Sequence, residues 1–193
     1  MPIPRAKPET ATAAGASWAQ DILRTWFDEL DPADWYRSSD EVDAMLRDRF
    51  EEVLEREGAH PADRFMDDPE TALAAIILFD QIPRNIYRAS AKAFAWDPLA
   101  RQLSNAYADR EWCEDAAEKH CQFSLMPLMH SEVLADQQRS LELFARYAPG
   151  ALEFAQSHHT MIERFGRFPH RNELLGRETT AEEADAIAQG FSW

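Results

Sequence analysis

Residues 71–82 read TALAAIILFDQI, a run that is apolar around almost its whole circumference if it forms a helix. A helix without a polar face lies in the interior of a protein. Asp68 and Pro69 precede the run as an N-cap and a first-turn proline, and Pro83 is expected to end it. We therefore predict a buried central helix that other helices must surround.

Helical signals continue through the rest of the chain. Apolar residues recur at three- and four-residue spacings, for example in residues 18–30 and 152–165, and Gly166 is placed to end the second of these helices. Strand-like alternation and hairpin signals such as Asn-Gly do not occur in the sequence. The sequence predicts an all-α fold: a flexible N-terminal tail over residues 1–16, then a single domain of packed antiparallel helical hairpins over residues 17–193.

Charge and cysteine content limit the partners and the compartment. The chain has 193 residues and a formal net charge of −15, and proteins that bind nucleic acid or anionic membranes need a basic surface, so neither partner is expected. Cys113 and Cys121 would lie about 12 Å apart if one helix held both, too far for a disulfide. Two reduced, buried thiols and the absence of a secretory signal predict a cytoplasmic protein.

Three polar segments interrupt the helical pattern. We name Asp80–Arg88 the first polar segment, Met129–Glu132 the second and Arg164–Arg177 the third. The first and third each contain a proline followed within three positions by arginine and asparagine, which is consistent with an internal duplication or with chance. Ser131, in the second, is expected to be the N-cap of a helix that ends near Ala148.

The third segment is locally basic in an acidic chain. Residues 163–177 hold four arginines and two acidic residues, which favours attraction of a small anion. The arginine fork matches carboxylate or phosphate groups, and histidine with glutamate can exchange protons. The candidate acid–base residues are His130, Glu132 and His170. The candidate ligand-binding residues are Asp80, Gln81, Arg84, Asn85, Arg88, His158, Arg167, Arg171 and Asn172.

Other interpretations of the same residues stay open. Arginine, aspartate and asparagine in helix-ending loops often form buried networks that only hold helices together, and Asp80 could simply pair with Arg84 or Arg88. A zinc site is conceivable from His130, Glu132, His158 and His170. Metal motifs and glycine-rich phosphate loops do not occur in the sequence, so no metal and no cofactor is expected.

The same segments resemble a known family. The stretches DQIPRN (80–85), HSE (130–132) and RFGRFPHRN (164–172) are similar to the motifs of the bacterial domain-of-unknown-function family 924. The resemblance covers roughly residues 18–193 and implies a tetratricopeptide-like, all-helical fold. It also maps a histidine of that family onto His158, seven residues before Phe165, and implies no defined reaction.

Two functional hypotheses follow. In the first, the three segments converge on a pocket that binds a small anionic molecule, with Arg84, Arg167 and Arg171 holding the anion and His130 and Glu132 supplying acid–base chemistry. In the second, the protein is a tetratricopeptide-like interaction scaffold without catalysis, whose arginines hold an acidic peptide segment of a partner. A groove beside the arginines, rather than a pocket, would favour the second.

Overall fold

The run at residues 71–82 lies in the predicted central helix, α3, which spans Pro69–Ile86 in the computed structural model. The Asp68 side chain caps its first turn by accepting a 2.9 Å hydrogen bond from the Thr71 amide. All residues of 72–83 are buried. An apolar helix of this kind is stable in water only when it is covered on all sides.

Seven further helices surround or extend from α3 in residues 15–190, the part of the chain that the structure describes. They are α1 (Gly15–Arg24), α2 (Asp40–Glu57), α4 (Asp97–Asp109), α5 (Glu118–Met129), α6 (Leu134–Tyr147), α7 (Leu152–Phe165) and α8 (Ala181–Ala188). Helices α1, α2, α4 and α5 pack on α3, while α6 packs on α5 and α7 packs on α6. These residues contain no strand, and the prediction of a single all-α domain is confirmed.

The ends of the predicted domain are not tested by the described residues. Most of the tail predicted over residues 1–16 lies outside them, and α1 already begins at Gly15. Within residues 15–190, no helix is long and apolar enough to cross a membrane.

Pro83 does not end α3, contrary to the prediction, because the helix continues to Ile86. A proline inside a helix removes one backbone donor and costs about 3 kcal/mol, but the burial of this helix on several sides outweighs that cost. The Arg84 guanidinium also donates a 2.6 Å hydrogen bond to the carbonyl oxygen of Asp80. One regular helix therefore fixes the directions of the Asp80 and Arg84 side chains.

The second polar segment also differs from its prediction. Helix α6 begins at Leu134, so Ser131 is not its N-cap. The Ser131 hydroxyl instead accepts a 3.1 Å hydrogen bond from the Val133 amide and donates a 2.6 Å hydrogen bond to Asp136. Residues 130–133 consequently form a short connection between α5 and α6 that leaves His130 at the end of α5.

The two cysteines do not share a helix, so the condition for a separation of about 12 Å is not met. Cys113 lies in the connection between α4 and α5, and Cys121 lies in α5. The Cys121 sulfur is 3.5 Å from the Cys113 carbonyl oxygen. Both cysteines are free thiols and both are buried, as expected.

Gly166 ends α7 as predicted and turns the chain into the third polar segment. Its φ of 68° is left-handed, a conformation that glycine adopts without strain. A 3₁₀ turn at Pro169–Arg171 follows, and α8 packs on this turn. The third segment is thus a loop between two helices, whereas most of the first segment is part of α3.

Candidate functional site

A cleft of about 300 Å³ lies where the three polar segments meet. The first segment contributes Asp80, the second contributes His130 to Glu132, and the third contributes Arg171. The first turns of α4 and the start of α6 complete it. The lining residues are Asp80, Asp97, Pro98, Arg101, Pro127, His130, Ser131, Glu132, Val133 and Arg171.

A buried aspartate–histidine pair forms the inner wall of the cleft. The Nδ1 nitrogen of His130 is 2.9 and 3.0 Å from the two carboxylate oxygens of Asp80. The Gln81 side-chain amide donates a 2.5 Å hydrogen bond to the same carboxylate. Asp80 is 1% exposed and the His130 side chain 12% exposed, so both groups are largely shielded from water while the imidazole still reaches the cleft.

The protonation of this pair follows from its neighbours. Burial opposes ionisation of Asp80, but Arg84 and His130 outweigh it and hold the pKa of this carboxyl well below its usual range. Burial lowers the pKa of His130, and Arg84 and Arg171 oppose the effect of Asp80 on it. At neutral pH the pair is therefore a carboxylate and a neutral imidazole.

The hydrogen bond to Asp80 selects the tautomer of His130. A carboxylate only accepts, so Nδ1 carries the ring proton and Nε2 carries the lone pair. Nε2 makes no hydrogen bond to any residue in the described part of the chain. It is a basic nitrogen beside a cleft, held in one orientation by a buried carboxylate, which is the arrangement used in general-base catalysis.

Two arginines from different segments meet at Asp97. Arg84 donates two hydrogen bonds, of 2.9 and 3.0 Å, to the Asp97 carboxylate. Its Nη1 nitrogen also lies 3.3 Å from the Oδ1 oxygen of Asp80. Arg171 reaches the same carboxylate at 3.4 Å and donates a 3.1 Å bond to the His130 carbonyl. The two arginines therefore share one counter-ion.

Arg171 is held rigidly but is incompletely paired. Its guanidinium carbon is 4.7 Å from the centre of the Phe94 ring and 4.5 Å from that of Phe168. Its Nε–H is buried and has no hydrogen-bond partner among residues 18–190. Burial, together with the nearby Arg84 charge, lowers the pKa of Arg171 to about 10. It stays cationic at neutral pH and can interact with an anion in the cleft.

Glu132 lines the cleft but is bound to the third segment. Its carboxylate accepts two hydrogen bonds from Arg177, of 2.8 and 3.0 Å, and one of 2.8 Å from the Phe168 amide. Burial opposes its ionisation, but these donors outweigh it and lower the pKa of Glu132. A carboxylate held ionised in this way suits an anchor for the loop better than a proton carrier beside His130.

His158 and His170 lie behind the cleft rather than on its lining. The His158 Nδ1–H donates a 2.8 Å bond to the Phe154 carbonyl, and its ring centre is 5.8 Å from that of His130. His170 lies 5.7 Å from Phe168 by ring centres. Burial is the main cause that lowers the pKa of His158 to about 3 and that of His170 to about 4. Both rings are neutral at pH 7.

Four predicted ligand residues bind other parts of the protein. Asn85 and Arg88 both donate to Asp43 of α2, at 2.7–2.9 Å, and neither lines the cleft. Asn172 and Arg167 both donate to Glu183 of α8. The structure thus brings together Asp80, Gln81, Arg84, His130, Glu132 and Arg171, and it directs Asn85, Arg88, Arg167 and Asn172 elsewhere.

The local excess of positive charge in the third segment is largely neutralised in three dimensions. Arg167 pairs with Glu183 and Arg177 with Glu132, which leaves Arg171 as the arginine of this segment that lines the cleft. Sequence analysis missed the Asp97 carboxylate and Arg101. Asp97 precedes Pro98, a pair that is typical of a helix start, so no local signal distinguishes its second role.

The zinc interpretation has no geometric support in the described residues. Within them, no group of three or more His, Cys, Asp or Glu side chains is arranged to hold a metal ion. Glu132 is already bound by Arg177, and the His158 Nδ1–H by a backbone carbonyl.

Known proteins give a family but no activity. Residues 22–190 match the family model described as bacterial protein of unknown function, DUF924. A solved structure of a protein of unknown function from Agrobacterium tumefaciens is 35% identical, with a TM-score of 0.85 over 91% of this chain and 99% of that one. No curated protein matches the chain. The chain belongs to the DUF924 family.

Proposed function

We propose that this member of the DUF924 family uses its cleft as a general acid–base site for a small anionic molecule. The observation that carries the proposal is the buried hydrogen bond between Asp80 and His130 at the cleft wall. It fixes the imidazole so that the basic Nε2 is the ring nitrogen without a hydrogen bond to the described residues.

The proton transfer follows from the tautomer. Nε2 of His130 takes a proton from a carbon acid or a bound water, which makes the ring an imidazolium that donates from both nitrogens. Asp80 stays ionised and stabilises that imidazolium through Nδ1–H, and it does not itself take the proton. The imidazolium then returns the proton from Nε2 to the product, so the site ends as it began.

The anion specificity rests on two arginines of the lining. Arg171 is already ordered by the Phe94 and Phe168 rings, so little conformational entropy is lost when it binds an anion. Arg101 lies on α4 and pairs with Asp136 at 2.9 Å. Since carboxylates also line the cleft, one negative charge fits better than the two of a phosphate monoester. A volume near 300 Å³ limits the ligand to a small carboxylate.

The test combines ligand binding with proton exchange. We would titrate protein with ¹⁵N-labelled histidine against a panel of small carboxylic acids and follow the imidazole nitrogens by NMR. At least one acid should shift the His130 signals, and its carbon-bound hydrogen should exchange with D₂O. The exchange should be lost in His130→Gln, and both effects should be kept in His159→Gln, a change on α7 at a residue that does not line the cleft. Absence of any His130 response across the panel would contradict the proposal.

The scaffold alternative has one observation in its favour. Val133 and Leu134 are 46% and 43% exposed, and Val133 forms part of the cleft rim. In that case an acidic peptide would bind across the rim, in keeping with a tetratricopeptide-like architecture. Val133→Asp should then abolish peptide binding in a fluorescence assay, whereas Phe154→Ser, at another exposed apolar position, should not.

The cytoplasm remains our proposed location. Two free, buried thiols suit a reducing compartment. Detection of the protein with an antibody after cell fractionation is the direct test.

A further inference from the structure

The fold brings the thiols of Cys113 and Cys121 close together, although Cys113 lies before the start of α5 and Cys121 lies within it. The Cys121 sulfur is 3.5 Å from the Cys113 carbonyl oxygen, so one side chain lies against the backbone of the other residue. The Cys113 sulfur is 3.7 Å from the Ser124 hydroxyl, and that hydroxyl donates a 2.9 Å bond to the Cys121 carbonyl. Cys113, Cys121 and Ser124 therefore form one small polar cluster where the α4–α5 connection meets α5.

The two thiols also influence each other's ionisation. The Cys121 thiol beside it lowers the pKa of Cys113, although burial acts in the opposite direction. The same interaction raises the pKa of Cys121. A reversible oxidation site needs two neighbouring thiols, one that attacks the oxidant and one that resolves the oxidised product.

From this geometry we propose that Cys113 and Cys121 form a reversible oxidation site that takes a peroxide. The Cys113 thiolate attacks one peroxide oxygen, the O–O bond breaks, and the departing oxygen takes a proton to leave as water or an alcohol. The resulting Cys113 sulfenic acid is attacked by the Cys121 sulfur, which loses its proton as water is expelled. Two thiols and one hydrogen peroxide give one disulfide and two waters, and a dithiol reductant then restores the two thiols while it is itself oxidised to a disulfide.

We expect a peroxide to reach this buried cluster through the α4–α5 connection. Glu111 has a φ of 55°, a strained conformation for a residue with a side chain, and Glu111 and Glu114 are exposed. The connection is tied to α6 through Glu114, which accepts hydrogen bonds from Arg146 and Tyr147. Opening this exposed contact lets the connection move and admits a molecule as small as a peroxide.

The experiment treats the reduced, native protein with hydrogen peroxide and measures its intact mass. We expect the loss of two hydrogen atoms, a proteolytic fragment that links Cys113 to Cys121, and full reversal by dithiothreitol. The oxidised form should melt at a Tm about 5 °C higher, because the disulfide closes a short loop in the unfolded chain. Glu114→Ala should speed the oxidation several-fold, and Glu153→Ala, an exposed acid on α7, should leave its rate unchanged.

The controls distinguish the site from ordinary surface oxidation. Cys121→Ser should trap oxygen on Cys113, seen as a mass gain of one or more oxygen atoms, and Cys121→Ala serves if the serine variant does not fold. Oxidation that occurs only in urea, or only between two chains, would overturn the proposal, as would oxygen addition to the wild-type protein without a disulfide. None of these results depends on the cleft, so the proposed acid–base function and this site can fail separately.

Discussion

The first and third polar segments use their asparagine and one arginine in the same way. In each segment the two side chains share a single carboxylate on another helix, and a second arginine reaches Asp97. The shared carboxylates bind Asn85 with Arg88 at Asp43, and Asn172 with Arg167 at Glu183. The similarity in sequence therefore corresponds to similar contacts with neighbouring helices.

The two segments differ in what supports them. The first belongs largely to a buried helix, and the third is a loop that Gly166 starts and Glu132 anchors. The third also carries the histidine His170 and follows His158, whereas the first has no histidine. In this protein the asparagine–arginine pairs form contacts between helices, and the cleft is lined by residues outside those pairs.

The largest predicted effect comes from Asp80 on the first segment. Asp80→Ala leaves Arg84 and His130 without their buried partner, so we expect the free energy of unfolding to fall by about 3–5 kcal/mol. Glu132→Ala, the corresponding anchor of the third segment, should cost about 1.5–3 kcal/mol because Glu132 is less buried. Urea denaturation measures both. Asp48→Ala, at an exposed position, should change little, and equal losses for Asp80 and Glu132 would remove the difference between the segments.

The two shared carboxylates offer a second comparison. Glu183→Ala should cost about 2–3 kcal/mol, because Glu183 is buried and also forms a capping box with Thr180. Asp43→Ala should cost about 1–2 kcal/mol, since its partner Arg88 is substantially exposed. Hydrogen exchange should show the loss of protection in α8 for the first variant and in α2 for the second. The reverse order of stabilities would contradict this account.

As the pH falls, the third polar segment should lose stability before the first. The pKa values of His158 and His170 are lowered to about 3 and 4 in the folded protein, so the unfolded chain binds more protons below about pH 6.5. The stability from these neutral rings is complete above pH 6.5 and is lost as the pH falls toward 3, by about 2 kcal/mol for each ring at pH 5. Asp80 and Glu132, with lowered pKa values, lose their contribution only at lower pH.

The measurement is urea denaturation from pH 7.5 to pH 5, with hydrogen exchange to locate the change. His158→Gln should flatten the dependence of stability on pH, while His159→Gln on the same helix should not. Equal protection of the two segments from hydrogen exchange at pH 5 would contradict the prediction that the third segment is destabilised first.

The smallest predicted effects compare the two prolines. Pro83→Ala adds an amide that can bond the Phe79 carbonyl inside α3, so we expect a gain of up to about 1 kcal/mol. Pro169→Ala loosens the start of a 3₁₀ turn and should cost up to about 1 kcal/mol. Thermal melts of the two variants show whether each change raises or lowers the Tm. A loss at both positions would mean that the packing of the Pro83 ring exceeds the value of the added hydrogen bond.

Local signals in the sequence predicted much of the fold. The Asp68 cap, the apolar run after it and Gly166 each act through a few neighbouring residues, and each has its predicted role in the structure. Pro83 misled because packing from several helices overrides a local preference that costs only about 3 kcal/mol. The residues next to Pro83 in the sequence do not indicate that other helices pack around it.

The candidate site was less accessible to the same reasoning. The residue types alone indicated His130, Asp80 and Arg171 as candidates. They did not indicate that Asp43 binds Asn85 and Arg88, or that Glu183 binds Asn172 and Arg167, because these carboxylates lie elsewhere in the chain. Charge along the sequence suggested a positive site, and pairing across space balances most of it. A single sequence carries the chemistry of each side chain and says little about which opposite charge lies beside it.

The two contacts of the Asp97 carboxylate are expected to form at different times during folding. Its partner Arg84 is 13 residues away along the chain and Arg171 is 74 residues away. Closing a longer loop costs more entropy, so we expect the contact with α3 to form early in folding and the contact with the third segment late. Pulsed hydrogen-exchange labelling during refolding should show protection of α3 and α4 before α7. The cleft would then exist only in chains that have finished folding, and a ligand would bind those chains alone.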